Sequence, residues 1–117
     1  MINMMTVYGI PQCSTVKKAR AWLDEQRVDY AFHDYKKKGV PEALLDEWID
    51  RFGWDVVINR RGTSWRALPE AVRSSMDAAG ARAAALANPS LIKRPILVAG
   101  DTTLIGFDPE QWQEVGA

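Results

Sequence analysis

The chain has 117 residues, 47% of them hydrophobic and 26% charged, with fifteen basic and fifteen acidic side chains. Those figures fit one single-domain globule with its own core and exclude a disordered, collagenous or multidomain chain. Charge neutrality argues against general affinity for nucleic acid or an anionic membrane surface, and no apolar run approaches the roughly 20 residues needed to span a bilayer.

The opening Met1-Ile2-Asn3-Met4-Met5 has neither the basic region nor the long apolar stretch of a secretory leader. One cysteine allows no internal disulfide and no structural zinc site. The expectation is therefore a cytoplasmic protein in a reducing compartment, with no metal and no organic prosthetic group.

The first element is Met5-Thr6-Val7-Tyr8, short and β-prone, stopped by Gly9 and Pro11. After Cys13 the spacing of Val16, Ala19 and Leu23 predicts a helix. Tyr30-Ala31-Phe32-His33-Asp34-Tyr35 reads as a second strand and Lys36-Lys37-Lys38-Gly39 as a loop. Pro41 suits the first position of a helix, with Leu44, Leu45, Trp48, Ile49 and Phe52 on its apolar face and Gly53 ending it in a left-handed conformation. Residues 55–65 are less regular. Short helices are predicted near 70–76 and 81–87, and Asn88-Pro89-Ser90 breaks the pattern. Ile96-Leu97-Val98-Ala99 and Thr102-Thr103-Leu104-Ile105 flank Gly100-Asp101, a hairpin signal. Asp108 caps a last helix, with Pro109 at its first position and Gln111 placed for a capping box. A βαβ unit, an intervening helical stretch and a β-hairpin make an α/β fold: a small mixed four-stranded sheet of thioredoxin-like arrangement with a helical insertion.

Cys13 falls where the first strand's tight turn meets the first helix. Unpaired N–H groups and the helix dipole favour negative charge there, and the thiolate is the nucleophilic form of cysteine. Ser14 and Thr15 add donors near it and Lys17 a positive charge one turn on. The third residue after Cys13 is Val16, so no Cys-x-x-Cys disulfide can form. A redox cycle must be completed by an external thiol, and glutathione is the natural cytosolic one. Arg94-Pro95 opens the third strand and is a candidate cis bond. Arg60, Arg61 and Arg66 read individually as solvated charge. His33, the single histidine, reads as structural or surface, not as a base, and the five tryptophans as core or rim.

Taken in order, Tyr8-Gly9-Ile10-Pro11-Gln12-Cys13-Ser14-Thr15-Val16-Lys17-Lys18-Ala19, His33-Asp34-Tyr35-Lys36, Asn59-Arg60-Arg61-Gly62-Thr63-Ser64-Trp65, Ile92-Lys93-Arg94-Pro95-Ile96 and Gly106-Phe107-Asp108 resemble the ArsC/Spx family of arsenate reductase-related proteins, most closely its YffB-like branch. The resemblance runs from about Val7 to Trp112. It implies that Cys13 is the nucleophile, that Pro95 is a cis proline facing it, and that Arg61, Arg94 and Lys17 match the family's basic positions. Ser14, Thr15, Lys17 and Pro95 become candidate substrate- or glutathione-binding residues beside Cys13, Arg61 and Arg94. The family's third arginine would fall near Gly106-Phe107, where this chain carries Phe107, a departure that weighs against efficient arsenate reduction.

The function implied is a glutathione-dependent thiol–disulfide reductase using one cysteine, with glutathione and an oxidised small-molecule or protein thiol as partners. The alternatives are a glutathione- and glutaredoxin-dependent arsenate reductase and, from another class, an Spx-like regulator that binds RNA polymerase.

Overall fold

The computed structural model of the chain describes residues 4–115; Met1-Ile2-Asn3, part of the segment read as lacking a leader, lies outside them. Element order is β1 (Met5–Gly9), α1 (Ser14–Glu25), β2 (Tyr30–Asp34), α2 (Tyr35–Lys38), α3 (Glu42–Phe52), α4 (Trp54–Val57), α5 (Thr63–Arg66), α6 (Glu70–Ser74), α7 (Ala78–Ala87), a 3-10 turn (Pro89–Leu91), β3 (Ile96–Ala99), β4 (Thr102–Ile105) and α8 (Pro109–Glu114). The chain divides into two units, one running up to Lys38 and resuming at Arg94, the other Gly39–Lys93.

The first unit holds a mixed four-stranded sheet in the order β2-β1-β3-β4. β1 runs parallel to β2 because α1 carries the chain back between them. β3 is antiparallel to β1, with Tyr8 opposite Ile96. The Gly100-Asp101 turn leaves Ala99 opposite Thr102, as a two-residue hairpin requires, and Gly100 takes the positive φ of 60° that such a turn demands.

The period-two alternation of β1 and β3 puts Met5, Val7, Leu97 and Ala99 on one face. Ala19 and Leu23 of α1 and Trp112 of α8 cover that face, and all seven side chains are buried. β1 and α1 approach closely at Gly9, where a Cβ would meet a Val16 methyl at 2.9 Å. At its other end α1 closes with Arg27 N–H to the Asp24 carbonyl and Val28 N–H to that of Leu23. This is a Schellman pattern whose left-handed position, φ 58°, is filled by Arg27 instead of the usual glycine. α8 is capped by Asp108, whose carboxylate accepts from the Glu110 N–H, one residue before the predicted capping-box position.

The second unit packs Leu45 and Trp48 of α3, Val57 of α4, Trp65 of α5, Ala81 and Ala85 of α7, and Leu91 and Ile92 away from water. Arg82 pairs with Glu42 at 2.9 Å and with Asp46, tying α7 to α3. Three expectations change here and at the end of β2. Lys36-Lys37-Lys38 is not loop but a helical turn, because the Asp34 carboxylate accepts from the Lys36 N–H at 2.8 Å and starts it. Pro41 precedes α3 as its extended cap residue instead of occupying its first turn. Gly53 has φ 89° and ψ 146°, a glycine-only extended conformation, not the left-handed helical one. The irregular stretch 55–65 overlaps two single-turn helices, α4 and α5.

Candidate functional site

β1 and β2 are parallel, so their carboxyl ends open at the same edge of the sheet, where open α/β sheets commonly bind ligands. β1 ends at Gly9, and the chain turns through Ile10-Pro11-Gln12. The Cys13 N–H bonds back to the Ile10 carbonyl at 3.1 Å, and the Cys13 carbonyl accepts the first helical bond of α1 from Lys17 at 2.9 Å. Cys13 is thus the N-cap of α1, with extended backbone (φ −70°, ψ 128°) and a half-buried side chain.

Arg94 arrives at the same edge from the other side. The antiparallel pairing ends at Tyr8–Ile96, so Arg94 and Pro95 enter β3 next to the carboxyl end of β1. The Arg94–Pro95 peptide bond is cis. Pro95 is buried, and its carbonyl accepts from the Gly106 N–H at 2.8 Å.

Electrostatics at the sulfur follow from this arrangement. Partial burial pushes the Cys13 thiol up and is the largest individual influence. The N–H of Val16, a hydrogen bond from the Arg94 side chain, the N–H of Thr15 and the Arg94 charge act the other way and together prevail, so Cys13 lies below an ordinary thiol. The sulfur faces the first-turn N–H groups and is polarised by them, although the side chain closes no full capping hydrogen bond.

The structure therefore brings Cys13, Thr15, Arg94 and Pro95 to one edge. Thr15 acts there through its backbone, and the side chains of Ser14, Thr15 and Lys17 are exposed on the first turns of α1. Arg61 lies in the second unit, exposed, on the turn after Asn59; its N–H is held by Asn59 Oδ1 at 3.2 Å. At the position of the family's third arginine, Phe107 packs edge-on against Trp112 at 5.0 Å and Trp22 at 5.9 Å between centroids. Among the described residues no three of His, Cys, Asp and Glu cluster as a metal site, and no helix is long and apolar enough to cross a membrane.

Sequence reasoning missed an aromatic group at this edge. The Tyr8 ring lies 5.1 Å from that of His33 and 6.4 Å from that of Tyr35, centroid to centroid. Alternation and register place Tyr8 beside His33, a signal the sequence carried, but Tyr35 turns inward only because Asp34 starts a helical turn. Tyr35 is 1% exposed, and its hydroxyl has no hydrogen-bond partner among the described residues. Burial raises its pKa, helped by Tyr8 and opposed by the Arg94 charge. An unsatisfied buried hydroxyl costs about 1–3 kcal/mol, so Tyr35→Phe should stabilise the protein by about 1 kcal/mol, read as a higher urea midpoint at unchanged slope.

The family model "ArsC family" matches residues 8–115. Among solved structures, a YFFB protein is 47% identical, superimposes with a TM-score of 0.91, and the match covers 97% of this chain and 99% of that one. An arsenate reductase (ArsC) related protein from Brucella melitensis is 47% identical, with a TM-score of 0.78 and coverage of 95% and 92%. A global transcriptional regulator Spx from Streptococcus pyogenes is 27% identical over 92% of this chain and 81% of its own. These likenesses bear out the thioredoxin-like arrangement with its four-stranded mixed sheet.

Proposed function

The chain belongs to the ArsC family, and from that membership we propose that it is a glutathione-dependent thiol–disulfide reductase working through Cys13. Its likeness to arsenate reductase-related proteins supports a thiol-based reductase. The observation that carries the finer reading is the thiol itself, held below its ordinary pKa by first-turn N–H groups and Arg94.

In the first step the Cys13 thiolate attacks the glutathione sulfur of a mixed disulfide. A Cys13–glutathione disulfide forms, the old disulfide breaks, and the departing thiolate takes a proton from water. In the second step a reduced glutathione, having lost its thiol proton, attacks the glutathione sulfur bound to Cys13. Oxidised glutathione leaves and the Cys13 thiolate is restored. Val16, in the place of a second cysteine, leaves no internal thiol to resolve the intermediate. Arg94 favours Cys13 as attacking and as leaving thiolate, since low-pKa thiolates leave faster.

Incubation with oxidised glutathione followed by intact-mass measurement tests this reading. One glutathione should appear on Cys13 and be removed by reduced glutathione; a chain that stays unmodified contradicts the mechanism. Arsenate is the second substrate the family name suggests. Phe107 provides packing instead of a cation, so arsenate turnover with glutathione and glutaredoxin should stay at background.

A further inference from the structure

The reaction above leaves the Tyr35 hydroxyl without a role, although it lies at the same sheet edge as Cys13. β2 pairs with β1 up to Asp34, opposite Gly9. Tyr35 follows at once, so it opens α2 beside the turn that carries Cys13. Its ring is fixed against two others, 6.4 Å from Tyr8 and 5.9 Å from His33 between centroids. The residue is buried, and its hydroxyl is sealed from water with no hydrogen-bond partner among the described residues. Phenylalanine would fill the same volume without stranding a polar group, so packing alone does not account for a tyrosine here.

Arg94 links this hydroxyl to the sulfur. Arg94 and Tyr35 belong to the same unit as Cys13, and the strand that Arg94 and Pro95 enter pairs Ile96 with Tyr8. The guanidinium hydrogen-bonds the Cys13 sulfur, and its charge acts on the Tyr35 hydroxyl as well. Arg94 Nε is shielded from water. Burial and Tyr8 keep the Tyr35 hydroxyl protonated, so it faces Arg94 as a neutral acceptor.

The charge on the sulfur changes during the cycle. When the thiolate attacks a disulfide, its electron pair becomes the new S–S bond, the old S–S bond breaks, and the Cys13 sulfur becomes neutral. A neutral sulfur is a weak acceptor, so a water-shielded guanidinium is left short of a partner. We propose that Tyr35 is a positioning residue that takes up Arg94 at this stage: its hydroxyl oxygen accepts a guanidinium N–H while Cys13 is in a mixed disulfide, and Arg94 returns to the sulfur when the thiolate is restored. The cost of an unpartnered hydroxyl in the reduced protein is thereby offset in the intermediate. The inference rests on the thiol–disulfide reading above, since that reaction is what neutralises the sulfur.

The test measures the equilibrium constant for forming a Cys13 mixed disulfide with bis(hydroxyethyl) disulfide, a neutral probe, in buffers poised with mercaptoethanol, the adduct fraction being read by intact mass. Tyr35→Phe should lower the constant about fivefold, the loss of one hydrogen bond of ordinary strength. In an Arg94→Ala background the same substitution should leave the constant unchanged, because the donor is gone. A packing defect, by contrast, acts equally in both backgrounds. An unchanged constant in the wild-type background, or an equal fall in both, would overturn the proposal. A chain that forms the adduct yet gives either result fails this inference alone; a chain that forms no adduct fails the functional reading with it.

Discussion

Replacing Cys13 with serine should abolish glutathione-dependent turnover, a loss on the order of 10⁴-fold or more, while leaving the fold as stable as before or slightly more so. The chemical loss is absolute in kind: a serine oxygen cannot form the disulfide intermediate, and its hydroxyl stays protonated at any pH where a thiol begins to ionise. The structural neutrality follows from the position. Cys13 is an N-cap with extended backbone that closes no full capping hydrogen bond, and serine is among the favoured residues there, worth about 0.5–1 kcal/mol over a residue that cannot cap. Lost turnover with an unchanged or raised urea midpoint assigns the effect to chemistry. Retained turnover places the nucleophile elsewhere.

Trp112→Ala should cost about 3–5 kcal/mol, the range for truncating a buried aromatic, against a typical total stability of about 5–15 kcal/mol. Trp112 is fully buried in the core that α1 and α8 form on the sheet. Its indole N–H donates to the Gly106 carbonyl at 3.1 Å, so alanine leaves both a cavity and an unpaired acceptor. Phe107, edge-on to the Trp112 ring, loses its support as well. Urea unfolding followed by circular dichroism reads the loss directly. A cost below about 1 kcal/mol would mean that the α8 contact with the sheet contributes little to folding.

The strands and α1 were legible because each carries a strong local signal. Met5 and Val7 alternate with Thr6 and Tyr8, Val16, Ala19 and Leu23 repeat at helical spacing, and Gly100-Asp101 fits one hairpin geometry. The single-turn helices α2, α4 and α5 were not, because four residues are too few to show a period of 3.6. The start of α2 depends on a side-chain bond, from the Lys36 N–H to the Asp34 carboxylate, and α4 and α5 follow glycines, Gly53 and Gly62, that supply no side-chain cap. Cys13 was visible from its strand–turn–helix setting. That Arg94 acts on its sulfur depends on the β1–β3 pairing, a long-range contact that local pattern does not encode. Arg60 and Arg61 read one at a time as solvated charge; only the bridge between Ile58 and Ile92 brings them to a common cavity with Lys93.

The central claim is that Cys13 is ionised more readily than an ordinary thiol by the first-turn N–H groups and Arg94. The rate of Cys13 alkylation against pH, measured in parallel on wild type and Arg94→Ala, tests it most directly. Reactivity rises with pH as the thiolate forms. The wild-type midpoint should lie below that of a free cysteine peptide, and the Arg94→Ala midpoint should lie above wild type, because a hydrogen bond and a positive charge that favour the thiolate are gone. A wild-type midpoint at or above the peptide's, or superimposable curves for the two proteins, would contradict the account.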